Sequence, residues 1–177
     1  MRSASIIGLT LVISAALGAL AGDDPKLSHQ AAVNSPALEQ FKGLAGKWVG
    51  KMGTGSERHD AVVTYKVTSN GSAVVETIDP GGAHEMVTVI HPDGDDLVLT
   101  HYCAIGNQPR MRTSGKSDGK NVKFAFVDAT NLKSPNDMHM HDVAFEFVDK
   151  DTIKTTWRNF VDGKPHETAT FELKRAK

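Results

Sequence analysis

The chain has 177 residues, a net charge of −1 and a single cysteine. That length is enough for one domain with a sizeable core, the near-neutral charge gives no basic footprint for nucleic acid, and one cysteine forms no internal disulfide. With 16 glycines and only 6% aromatics, the composition suits short strands and turns better than long helices.

The N-terminus reads as a targeting segment. Arg2 supplies the positive charge, Ile6 to Leu20 is an apolar run, and Ala19-Leu20-Ala21 gives the small-x-small pattern of a cleavage site. The run is shorter than the about 20 residues that span a bilayer, and a polar stretch follows at once. Residues 1–21 are therefore expected to be a cleavable signal peptide, 22–43 a polar leader with a short helix, and 44–177 the folded domain. The product would be periplasmic or secreted, with no membrane anchor after cleavage.

Beyond the polar stretch, Ser35-Pro36 forms an N-cap followed by proline at the first helical position. Two turns of helix are predicted to Gly43, with Leu38 and Phe41 on one side. Ten strand-like runs follow: 46–51, 61–68, 72–77, 84–91, 97–104, 110–114, 121–127, 139–148, 152–160 and 167–174. Most alternate apolar and polar residues, as Val122, Phe124 and Phe126 do against Lys123 and Ala125. Tight connections (Ser69-Asn70-Gly71, Asp93-Gly94, Asp118-Gly119-Lys120, Asp149-Lys150-Asp151) mostly alternate with longer ones (52–60, 78–83, 105–109, 128–138). Asp162-Gly163-Lys164 is the exception, a tight turn where the alternation places a longer loop. An all-β, closed, antiparallel up-and-down barrel of about ten strands is expected, with the tight turns at one end and the longer loops gathered at the opposite end, and a short N-terminal helix that could plug either.

Alternation also selects candidate site residues. In 139–148 the face carrying Val143, Phe145 and Phe147 also carries His139 and His141. In 97–104 the face with Leu97 and Leu99 also carries His101 and Cys103. His84 begins the fourth run at the same end, and Asn107, Gln108 and Arg110 lie on the adjoining rim. Arg110 and Arg112 share a face that either meets an anionic head group or stays in solvent. Cys103 reads as a small buried side chain, with a ligand or nucleophile role as the alternative. Met140 shares a face with Asp142 and Glu146 and is expected to point outward. His29, His59, His91 and His166 are expected to be exposed.

Leu44-Ala45-Gly46-Lys47-Trp48-Val49-Gly50 resembles the first strand of the lipocalin and fatty-acid-binding-protein group, the calycin-type barrels, which open with Gly-x-Trp after a short helical segment. The hairpin from Trp157 to Lys164 followed by 168–175 resembles the closing hairpin of the fatty-acid-binding branch. The opening is also similar, more weakly, to nitrobindin-like haem-binding barrels, although no haem-ligating histidine can be placed. The resemblance implies a barrel around a small, mostly apolar ligand. In the fatty-acid-binding branch interior arginine and tyrosine grip a carboxylate, and Arg112, Arg158 and Tyr65 are the available residues of those types.

Two functions follow as expectations. The first is a ligand-binding barrel whose small molecule meets His101, Cys103, Asn107, Gln108, Arg110, Arg112, His139 and His141 with its polar or anionic head. Its body would lie against Trp48, Phe124, Phe126, Phe145 and Trp157. The second is a metal or haem protein, with or without catalysis, using His84, His101, His139 and His141, since neutral imidazole ligates Zn, Cu and Fe. No phosphate-binding glycine loop, nucleophile elbow, Cys-x-x-Cys or His-Glu-x-x-His is present to name a reaction or a cofactor.

Overall fold

The computed structural model describes residues 35–115 and 118–177; the expected signal peptide and most of the polar leader, with His29, lie outside the described residues. Helix α1 (Pro36–Lys42) forms as predicted, with Ser35 Oγ accepting from the Leu38 amide at 3.3 Å and Pro36 in the first turn. Ten strands follow: β1 (Gly46–Thr54), β2 (His59–Thr68), β3 (Ala73–Ile78), β4 (Met86–Asp93), β5 (Asp96–Tyr102), β6 (Gln108–Thr113), β7 (Asn121–Thr130), β8 (His139–Asp149), β9 (Thr152–Val161) and β10 (Lys164–Arg175). Each strand is antiparallel to its neighbours, and β1 pairs with both β2 and β10, so the sheet closes into a barrel. Among the described residues no helix is long and apolar enough to cross a membrane.

The alternation of loop lengths sorts the two ends. Helix α1 caps the end that carries the tight turns. Gln40 Nε2 donates to the Gly119 carbonyl in the β6–β7 turn at 2.7 Å, and Arg175 bonds both the Gly43 carbonyl behind the helix and the Lys150 carbonyl in the β8–β9 turn. Phe41, fully buried, enters the barrel and meets Phe124, Phe145 and Phe147 edge-on, with centroids 4.9–6.0 Å apart. Burying a phenylalanine in this way is worth about 1.5–3 kcal/mol, which anchors a helix too short to be stable alone.

Gly-x-Trp has a local physical role. Trp48 is buried with its Nε1–H on the Leu44 carbonyl at 2.7 Å, and the Arg175 guanidinium lies 4.4 Å from its ring centroid. Two residues on, a Cβ at Gly50 would stand 2.0 Å from the Glu172 carbonyl oxygen, so only glycine lets β10 approach β1 there.

The opposite end is partly laced. Asn131 Nδ2 donates to the Gly106 carbonyl at 2.5 Å, Asn107 Nδ2 to the Met138 carbonyl at 2.7 Å, and the Asp162 amide to the Asn136 carbonyl at 2.9 Å. These bonds tie the β5–β6, β7–β8 and β9–β10 connections together. The long β7–β8 loop is itself capped, because Asp137 Oδ2 accepts from the amides of Lys133 and Ser134.

Candidate functional site

Four buried polar side chains stand side by side on consecutive strands. Tyr65 of β2 is in register with Glu76 of β3, Glu76 with Thr88 of β4, and Thr88 with His101 of β5. None exceeds 3% exposure. Their burial follows from period-two alternation: Glu76 lies between buried Val74 and Ile78, and His101 follows buried Leu97 and Leu99. The Tyr65 hydroxyl donates to Glu76 Oε1 at 2.7 Å, and Thr88 Oγ1 bonds His101 Nδ1 at 3.0 Å.

The row is incompletely satisfied. Glu76 Oε2 and His101 Nε2 are buried with no hydrogen-bond partner, and so is Trp157 Nε1 of β9. Thr88 is close enough to Glu76 to favour its charged form, but its well-aligned bond is the one to His101. Trp157 reaches His101 through the interior, from a strand four places round the barrel, with ring centroids 4.7 Å apart. Burial holds the His101 imidazolium form down to about pKa 4, lifts the Glu76 carboxyl above its usual range, and pushes the Tyr65 phenol well up. At neutral pH His101 is therefore an uncharged imidazole.

The histidines of β8 are arranged differently from the alternation expectation. A β-bulge between Met140 and Asp142 puts His141 out of step with Val143 and Phe145. Its ring stacks on Phe160 at 3.7 Å and on Phe126 at 4.8 Å, and it is only partly buried. His139 is buried, its Nδ1 on the Asp137 carbonyl at 2.8 Å and its Nε2 on His141 Nδ1 at 3.1 Å. The same bulge turns Met140, expected outside, to pack against the core. The β7–β8 ladder ends at Ala125 and Asp142, and Phe126, His139, His141 and Phe160 stack together just beyond it.

The other rim residues divide. Asn107 is buried, with Oδ1 lacking a partner. Cys103 is half-buried in the turn after β5, and burial raises its thiol pKa. Arg110 pairs with Asp128, and Arg112 with Asp93 and Asp96, on the outer wall, so neither supplies the interior cation that one of the two readings required. Arg158 likewise pairs with Asp142 outside. Gln108 bonds Thr130 and the Gly106 carbonyl on the rim. His84 is exposed in the loop before β4, which starts only at Met86, and His59, His91 and His166 are exposed as expected. Among the described residues no three of His, Cys, Asp and Glu are grouped to hold a metal ion. The gathering of four histidines is thus corrected: one is sealed in the interior, two are hydrogen-bonded to each other at the rim, and the fourth is in solvent.

Comparison with known proteins adds little to this geometry. No family model and no curated protein matches the chain. Among solved structures it is similar to a protein of unknown function from the DUF3598 family of Nostoc punctiforme, at 10% identity and a TM-score of 0.44, over 81% of this chain and 53% of that one. The chain spans about half the length of that neighbour, and a likeness this loose carries no argument about the site.

Glu76 and Thr88 were absent from the sequence-derived site, although a signal for them exists. A carboxylate between Val74 and Ile78 occupies the apolar face of a strand, where charge is costly unless paired. The pairing of Glu76 with Tyr65 depends on strand register, which alternation alone does not supply.

Several cavities border the barrel, two of them near the elements described above. One of about 770 Å³ lies at the closed end, where Ala37 of the helix, the start of β5, the end of β6 and the start of β7 surround buried Leu97 and Val122. Another of about 330 Å³ runs along the outer wall over the β7–β8–β9 seam, past His141, Arg158 and Phe160.

Proposed function

We propose that the chain is an exported, calycin-type ligand-binding barrel, periplasmic or secreted, that holds a small and partly apolar molecule. The observation that carries this reading is the set of three buried, unpartnered polar atoms in the interior: Glu76 Oε2, His101 Nε2 and Trp157 Nε1. A buried polar atom without a partner costs about 1–3 kcal/mol, and three such atoms on the inner face of the barrel fit a site that a ligand's polar head completes. The surrounding Leu99, Phe145 and Trp157 supply the apolar wall such a ligand's body requires. The contact of His101 with Trp157 across the interior keeps the molecule small. Export rests on Arg2, the apolar run and the Ala19-Leu20-Ala21 pattern.

Uptake of a neutral fluorescent probe such as N-phenyl-1-naphthylamine tests the binding reading. Saturable uptake that quenches Trp157 emission and raises the melting temperature is expected. Absence of uptake, together with no small molecule released on denaturing the purified protein, would refute it. N-terminal sequencing of the mature protein tests export, with Gly22 expected as the first residue.

A further inference from the structure

The polar row also specifies what kind of head group the interior accepts. Among the described residues no lysine or arginine is buried. The charged groups nearest in type, Arg110, Arg112 and Arg158, are each paired with aspartate on the outer wall. An anion entering the interior would lose its hydration, find no cation, and meet the Glu76 carboxyl, one oxygen of which already lacks a partner. A cation would find Glu76 but only one free oxygen on it, because Oε1 accepts from Tyr65. Its remaining protons would find no second carboxylate, because Glu76 is the one buried acidic side chain among the described residues.

The unpartnered atoms beside each other differ in kind. Trp157 Nε1 is a donor only. His101 Nε2 takes its role from the row: where Thr88 gives its hydroxyl proton toward Glu76, Nδ1 of His101 is the donor and Nε2 is a bare acceptor. Where Thr88 gives the proton to Nδ1, Nε2 carries a hydrogen. A group that both gives and takes hydrogen bonds satisfies either arrangement, whereas an ether or ester, which gives none, leaves the acceptor form unmet.

We infer that the ligand's head group is uncharged and both donates and accepts, as a hydroxyl or primary amide does, and that it binds at His101 Nε2 and Trp157 Nε1. This rests on the ligand-binding reading and departs from the carboxylate head that the family resemblance implies.

The test uses four eight-carbon probes on the intact protein at pH 7.5: octan-1-ol, octanamide, octanoate and octylammonium, each displacing the neutral fluorophore. The alcohol and the amide are expected to bind about tenfold more tightly than either ion. The chain has two tryptophans, so the indole ¹H–¹⁵N spectrum supplies an internal control. Octanamide should move the Trp157 resonance downfield and leave that of Trp48, already bonded to the Leu44 carbonyl, in place. Trp157→Phe, which keeps a ring against His101 and removes the donor, should weaken octanamide about fivefold relative to wild type, each affinity being corrected for the fluorophore affinity measured on that same protein. Octanoate or octylammonium binding as tightly as the amide overturns the inference while leaving the binding reading intact. So does an unmoved Trp157 resonance when displacement is seen. A folded protein that takes up neither fluorophore nor any probe overturns both.

Discussion

His101 and His141 occupy similar-looking positions in the sequence, each two residues from an apolar inward neighbour near the loop-rich end of a strand. In the folded chain they have opposite surroundings. β5 keeps strict alternation, so His101 is sealed against Thr88 and Trp157 with one nitrogen unpartnered. In β8 one bulge breaks the alternation, and His141 stacks between Phe126 and Phe160, close to the Asp142–Arg158 pair on the outer wall. A side chain's chemistry at a barrel mouth is thus decided by whether the strand beneath it keeps step.

The strongest way to sharpen that contrast is acid. Folded His101 resists protonation down to about pKa 4, whereas in the unfolded chain it takes its proton near the ordinary value of about 6.5. Between those values the unfolded state binds more protons, so stability falls as pH drops from about 6.5 to about 4, by about 3 kcal/mol at the end of the window. Glu76 contributes with the opposite sign: its folded carboxyl is lifted, so its share of stability is present in acid and is lost as pH rises. The difference between wild type and His101→Gln in urea unfolding at a series of pH values therefore isolates His101. Parallel curves would show that the imidazole is not sealed. His141 is also lowered, by burial and then by His139, but it is only partly buried, so its pH effect is expected to be the smaller one.

Next in size is the row itself. Tyr65→Phe removes the donor to Glu76 Oε1 and leaves both carboxyl oxygens unpartnered in the interior. A loss of about 1–3 kcal/mol is expected in urea unfolding at pH 7. A loss close to zero would mean that water already reaches Glu76. At the rim, His141→Ala removes two ring stacks and is expected to cost about 1 kcal/mol, measured the same way. The smallest effect belongs to the outer wall, where Arg110→Ala breaks a half-exposed pair with Asp128 and is expected to change stability by less than about 1 kcal/mol. An effect as large as that of Tyr65→Phe would indicate that the outer charges, and not the interior row, hold this side of the barrel.

Much of the architecture was legible because it depends on short-range rules. Ser35-Pro36 capped the helix, Asn-Gly and Asp-Gly turns separated the strands, and period-two runs turned Trp48, Phe124, Phe145 and Trp157 inward. The site was legible only in part. His101 was found by alternation and Trp157 by its aromatic character, whereas Glu76 and Thr88 passed unnoticed and Arg110 and Arg112 proved to lie outside. Whether a polar residue on an apolar face has a partner depends on the neighbouring strand, which the residue's own sequence context does not contain.

By itself the sequence determined the number of strands and their antiparallel order, because caps, turns and alternation act over a few residues. Tertiary structure alone decided that Tyr65, Glu76, Thr88 and His101 form one row, that Trp157 meets it from the far wall, and that a bulge in β8 takes His141 out of the same interior. Register and bulges are set by how whole strands pair around a closed sheet, and that pairing is a property of the barrel and not of any single strand.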